Sequence, residues 1–147
     1  MIHRLVSSIL VLSMLVLIAA AAASPDEASG IVTQVKTGDA FMVDGVGCVR
    51  LADVKAPETA REALYAQEYT MQTLLNTQVF LDIDNQTSRD ENGCLICVVY
   101  RAGQNGTPNL NANFNRMLVD AGHAQVLDDK RNKFDPASWW CGQSCPV

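Results

Sequence analysis

The chain has 147 residues, 48% of them hydrophobic, with eleven Lys and Arg against sixteen Asp and Glu, a net charge of −5. That length points to one domain. The acidic balance argues against a protein that lives on non-specific phosphate contacts, which ordinarily presents a net basic face, and composition gives no hint of a basic patch.

Arg4 precedes an apolar run from Leu5 to Ala23 that ends in Ala20-Ala21-Ala22-Ala23-Ser24. A basic start, an apolar stretch and small residues are the marks of an export signal cleaved near Ala23. The rival is an uncleaved membrane anchor, since about 19 apolar residues just span a bilayer. No cysteine follows the run, so a lipoprotein is not indicated. Either way the globular part is expected outside the cytoplasm, with no stable membrane association once the segment is removed. Cleavage leaves ten basic against sixteen acidic side chains, or −6, on about 120 residues, enough for one modest core. The expected division is 1–23 signal peptide or anchor, 24–29 polar linker, 30–127 folded domain, and 128–147 a tail bearing Cys and Trp.

Ile31 to Val35 reads as a strand, Lys36-Thr37-Gly38-Asp39 as a turn, and Ala40 to Val43 as a second strand. Asp44-Gly45 is a hairpin signal, and Val46 to Ala52 returns as a third strand. There Val49 and Leu51 alternate with Cys48, Arg50 and Ala52, giving one apolar face. Pro57 ends the extended segment, and Thr59-Ala60-Arg61-Glu62 spells a capping box opening a helix. Leu64, Met71, Leu74 and Leu75, with Ala60 and Gln67, supply its expected apolar face, and Asn76 stops it. Gln78 to Ile83 is a fourth strand, Asp84 to Gly93 a polar loop, and Cys94 to Tyr100 a nearly all-apolar, central fifth strand. Arg101 to Leu110 reads as a second loop. Phe114, Met117, Leu118 and Ala121 form a second helical face, with Gly122 at the position of a left-handed cap. This order predicts a small α+β, mainly β domain: a five-stranded barrel with helices packed on it.

Five cysteines, Cys48, Cys94, Cys97, Cys141 and Cys145, are an odd number, so at least one stays outside any intrachain pairing. Cys94-x-x-Cys97 and Cys141-x-x-x-Cys145 suggest zinc, but residues three apart on a strand face opposite ways. Disulfides fit the expected compartment better, with Cys141–Cys145 a candidate local bridge; sequence leaves the pairing open. Two acceptor motifs for asparagine-linked glycans, Asn85-Gln86-Thr87 and Asn105-Gly106-Thr107, fall in expected loops. His123 is expected on a strand near the barrel surface, and Trp139-Trp140 over a core edge.

Thr37-Gly38-Asp39, the run Val49-Arg50-Leu51-Ala52-Asp53-Val54-Lys55-Ala56-Pro57-Glu58, the loop Arg89-Asp90-Glu91-Asn92-Gly93-Cys94-Leu95 and Leu118-Val119-Asp120-Ala121-Gly122-His123-Ala124 occur in order. Together they resemble the thermonuclease, or staphylococcal-nuclease-like, family over roughly Gly30 to Leu127. The resemblance implies an OB-fold barrel whose active members cut DNA and RNA phosphodiesters with calcium. Carboxylates hold hard calcium through oxygen, arginines clamp phosphate oxygens, and a further carboxylate orients or deprotonates water. By resemblance Asp39 matches a calcium-binding aspartate, Arg50 a phosphate-clamping arginine, and Glu58 the glutamate given the general-base role.

Two matching positions are changed. Lys55 stands where the family has an aspartate two residues before the proline, and an ammonium repels calcium. Cys94 stands where the family has the arginine of a Tyr-Gly-Arg turn, so the guanidinium fork is gone. Asn92 replaces the tyrosine of that turn, and Asp128-Asp129 falls near an aromatic pair that stacks the base. Asp53 remains a possible substitute ligand. Taken alone, Asp39 is a turn residue, Glu58 an acid favoured at a helix start, and Arg50 a structural partner for Asp39 or Glu58. Losing one transition-state donor typically lowers rate about 10²–10³-fold. The expected function is therefore an exported pseudoenzyme of nuclease ancestry, retaining at most weak binding of a ligand or of single-stranded DNA or RNA. The alternatives are an active divalent-metal nuclease, with calcium as cofactor, and a disulfide-stabilised extracytoplasmic interaction module with a protein partner.

Overall fold

The computed structural model describes residues 27–140; the expected signal peptide or anchor at 1–23 and the candidate Cys141–Cys145 bridge lie outside them. The elements in order are β1 (Ala28–Thr37), β2 (Ala40–Val43), β3 (Gly47–Leu51), β4 (Val54–Lys55), α1 (Ala60–Leu74), β5 (Gln78–Ile83), β6 (Leu95–Ala102), β7 (Pro108–Asn113), α2 (Phe114–Asp120) and β8 (Gln125–Val126), followed by a 3₁₀ turn at Pro136–Trp140. β1 serves two neighbours: Ala28–Ile31 pair with β5, and Val32–Thr37 pair with β2. β3 follows β2, β6 follows β5, and a parallel pairing of Val49, Arg50 and Leu51 with Leu95, Ile96 and Cys97 joins β3 to β6. That pairing closes a five-stranded barrel, as expected of an OB fold.

Alternation fills the barrel. Val32, Phe41, Val43, Val49, Leu51, Val79, Leu81, Cys97 and Val99 point inward, and Phe114 and Leu118 of α2 close the cluster. A second, outer cluster joins Ala52, Phe80, Val98 and Tyr100, with Phe134 and Trp139 packed over it. The seam between β3 and β6 is fastened by the fully buried Asn115. Its Oδ1 accepts from the Val99 amide at 3.0 Å, and its Nδ2 donates to the carbonyls of Ala52 at 2.8 Å and Cys97 at 3.1 Å. A buried amide satisfied on both sides specifies one arrangement of the strands that meet there.

Several expectations need correction. The face of α1 that meets the barrel is Ala66, Thr70 and Leu74, whereas Leu64 and Met71 are 57% and 43% exposed. The reason is a close approach: a Cβ on Gly38 would lie 2.6 Å from Ala66 Cβ, so only small side chains fit between turn and helix. Thr70 then donates its hydroxyl to the Gly38 carbonyl at 2.6 Å. The capping box does not form, since the Thr59 hydroxyl meets the Glu62 carboxylate and caps no helix amide. β7 occupies part of the expected second loop. Its sequence Pro-Asn-Leu-Asn-Ala-Asn lacks apolar alternation because it is an edge strand paired with β6 at Tyr100 and Ala102. His123 lies in the turn after α2, its ring 5.0 Å from that of Tyr69. Gly122, at φ 77°, ends α2 as expected, with the His123 amide returning to the Leu118 carbonyl at 3.0 Å.

Candidate active site

Of the expected site residues, Asp39, Arg50, Asp53, Lys55 and Glu58 gather at one end of the barrel around an open cleft of about 960 Å³, and Cys94 does not line it. The β1–β2 turn contributes Asp39, β3 contributes Arg50, the β3–β4 turn Asp53, and β4 with the start of α1 contributes Lys55 and Glu58. The loop before β6 supplies Arg89 and Asp90, and the segment after β8 supplies Asp129 and Arg131. Five basic and six acidic side chains line the cleft, so it is close to electrically balanced.

Asp39 is 5% exposed. Its Oδ1 accepts from the Thr37 hydroxyl at 2.7 Å, and its Oδ2 accepts from the Ala56 amide at 3.2 Å and faces Arg50 Nη1 at 3.3 Å. Arg50 also donates from Nε to Asp90 Oδ2 at 2.6 Å. The guanidinium therefore spans two carboxylates, which restricts it as a free phosphate clamp. Asp90 is held in turn by the Asn92 and Cys94 amides, each 2.9 Å from Oδ1. Burial opposes ionisation of Asp90, yet the Cys94 amide, Arg50 and the Asn92 amide together hold the carboxyl below its ordinary value. Arg50 pairs with Asp39 and not with Glu58, so one of the two expected structural partners is present.

Asp90 was not a candidate from sequence. Its place in a polar turn ahead of a strand is ordinary, and nothing in sequence signals a partner 40 residues away.

Lys55 and Glu58 engage each other instead, Nζ to Oε1 at 2.8 Å, with both side chains largely in water. The hydrogen bond and charge of Lys55 lower the Glu58 carboxyl and make it a weaker base, and Glu58 raises Lys55. Asp53, the possible substitute ligand, is already engaged by the chain itself. It occupies the β3–β4 turn at φ 55°, 5% exposed, and its Oδ1 accepts from the Asp129 amide at 2.9 Å and Asn132 Nδ2 at 2.7 Å. Its role is to fasten the segment after β8 against the cleft.

Cys94 forms a disulfide with Cys48, joining β3 to the loop before β6 beside the barrel seam. The zinc reading of Cys94-x-x-Cys97 falls with it, because Cys94 has no thiolate to give. Cys97 is a buried free thiol, pushed up to about 12 by burial and then by Asp82, which leaves it unreactive.

These donors do not fit calcium. The ion takes six to eight oxygen ligands, whereas Asp39 and Asp90 already share a guanidinium, Asp53 faces the chain beyond β8, and Lys55 brings positive charge. Among the described residues no three His, Cys, Asp or Glu side chains converge on one point.

The family model of the staphylococcal nuclease homologue matches residues 48–138, from β3 to the 3₁₀ turn. The chain belongs to this family. Within the staphylococcal nuclease homologue, Arg50, Lys55, Glu58 and Cys94 lie inside the matched stretch, and Asp39 precedes it. No curated protein matches the chain.

Proposed function

We propose that this nuclease homologue works outside the cytoplasm as a non-hydrolysing OB domain, its cleft kept for at most weak, calcium-independent binding of a ligand or a single strand. One observation carries the reading: Arg50, the side chain that would clamp phosphate, is committed to Asp39 and Asp90. The neighbouring changes agree with it. Lys55 neutralises Glu58, and Cys94 offers a disulfide sulfur in place of a guanidinium. Phosphodiester hydrolysis needs positive charge free to meet the oxyanion as it develops. Export is supported by the apolar run ending at Ala23 and by a disulfide between Cys48 and Cys94. That bridge also favours a second reading, a protein-interaction module that uses the barrel as a rigid scaffold.

The deciding assay incubates purified protein with denatured DNA and with RNA, in calcium, manganese or chelator, beside a Glu58→Gln variant. The expected result is no ion-dependent cleavage in any lane. Cleavage that needs the ion and is lost in Glu58→Gln overturns the proposal in favour of a working nuclease. A salt-sensitive gel shift on single strands separates a residual nucleic-acid binder from the interaction module.

A further inference from the structure

The two acceptor motifs for asparagine-linked glycans occupy different settings. In Asn85-Gln86-Thr87 the first two residues are exposed, but the threonine that the motif requires is engaged: Asp84 accepts from the Gln86 and Thr87 amides at 3.2 and 2.7 Å, and the Thr87 hydroxyl donates to the Arg131 carbonyl at 3.0 Å. Thr87 is half-buried and lines the cleft. Asn105-Gly106-Thr107 stands at the tip of the β6–β7 hairpin with all three residues exposed. The tip is held by backbone alone, Gly103 N to Thr107 O at 2.8 Å and Gly106 N to Gly103 O at 3.1 Å, with Gly106 at φ 68°. No side-chain hydrogen bond of Asn105 or Thr107 occurs among the described residues.

The tip is also remote from the cleft. Ile96, near the start of β6, lines the cleft, and none of residues 103–107 does. The eight residues of β6 carry the chain about 20–25 Å from one end of the barrel to the other. A bulky hydrophilic group on Asn105 would project into solvent and leave both the cleft and the Cys48–Cys94 seam untouched.

We infer that Asn105 is a glycan acceptor of the exported protein, modified by a lipid-pyrophosphate-linked oligosaccharide, and that Asn85 is not modified once the chain has folded. In the transfer, Asn105 Nδ2 forms a bond to the anomeric carbon of the sugar. The bond from that carbon to the lipid pyrophosphate breaks, its electron pair leaves on the phosphate oxygen, and the amide nitrogen gives up one proton. The inference rests on the export reading and does not depend on whether the cleft hydrolyses anything.

The test expresses the full chain, with its N-terminal segment, in a secretory host that carries asparagine-linked transfer. Wild type, Asn105→Gln, Asn85→Gln and Thr107→Ala are compared by gel mobility before and after an amidase that removes such glycans, and by peptide mass. The expected result is a glycosylated secreted protein whose amidase-sensitive shift is lost in Asn105→Gln and Thr107→Ala and kept in Asn85→Gln. Secreted protein unmodified at Asn105, or carrying only deamidation at Asn105-Gly106, overturns the inference while export stands. Retention in the cytosol overturns export and the modification with it. Occupancy at Asn85 in place of Asn105 overturns the choice between the motifs.

Discussion

Asp53 shows how a single residue can serve the shape of the cleft at the expense of stability. Its Oδ2 is buried without a hydrogen-bond partner among the described residues, while Oδ1 accepts twice. Burial raises the carboxyl above 3.8, the Asn132 and Asp129 contacts oppose this in part, and the charges of Asp128 and Asp129 add to the rise. The native state therefore holds this proton more tightly than the unfolded chain. The stability linked to it is present in acid and is lost as pH climbs from 3.8 through the higher folded value. Asn at this position keeps the acceptor, tolerates a positive φ and carries no charge. Asp53→Asn is expected to raise stability by about 1 kcal/mol at neutral pH, with little effect below pH 4, read from urea midpoints at the two values. Asp90 has the opposite sign: its lowered carboxyl contributes stability above 3.8 that is lost as pH falls through the folded value. Arg50→Met should cost about 2 kcal/mol, discounted because the arginine is a third exposed, and should move acid unfolding to higher pH. An unchanged acid limb would show that the Asp39–Arg50–Asp90 bridge contributes nothing.

Between elements, two contacts carry the closure of the barrel. The Cys48–Cys94 disulfide spans a separation of 46 residues, and restricting the unfolded chain over such a loop is worth about 3–4 kcal/mol. A Cys48→Ser, Cys94→Ser pair should lose that amount in the urea midpoint, and reductant should destabilise the wild type by more than it does the variant. The other contact is Gly38 on Ala66, where the usual benefit of replacing glycine by alanine reverses. Gly38→Ala places a methyl 2.6 Å from Ala66 Cβ and 3.2 Å from Ala56 Cβ, and should cost about 1–3 kcal/mol by overpacking. A neutral or stabilising Gly38→Ala in thermal melts would show that α1 shifts freely against the turn.

Considered as a whole, the molecule is acidic at −5, yet its cleft is close to electrically balanced. The cleft's cations are largely met by its own carboxylates, as in Lys55 with Glu58, Arg50 with Asp39 and Asp90, and Arg131 with Asp129. A divalent ion drawing on Asp39, Glu58, Asp90 or Asp129 would have to displace one of these pairs before it could bind. Calcium at millimolar concentration is therefore expected to leave the unfolding midpoint unchanged, with chelator equally without effect. A site filled at a hundred times its dissociation constant would instead add about 2.7 kcal/mol, and such a rise would overturn this account of the cleft.

Strand alternation, the Asp44-Gly45 turn, Gly122 and the ordered run from Arg50 to Glu58 were legible in sequence, because each is a local pattern or a fixed spacing. They sufficed for the barrel, its family and the positions of Asp39, Arg50 and Glu58 around one cleft. What the sequence could not determine depended on residues far apart along the chain. Leu64 and Met71, expected on the apolar face of α1, lie exposed because Gly38 and Ala66 set how closely helix and turn approach. Cys48 chose Cys94 because β3 and β6 run side by side at the seam. Asp90 reaches Arg50, and Asp53 turns away from it, for the same reason. Partners are assigned by the closing of the barrel, and a linear pattern holds no record of which side chains that closure brings together.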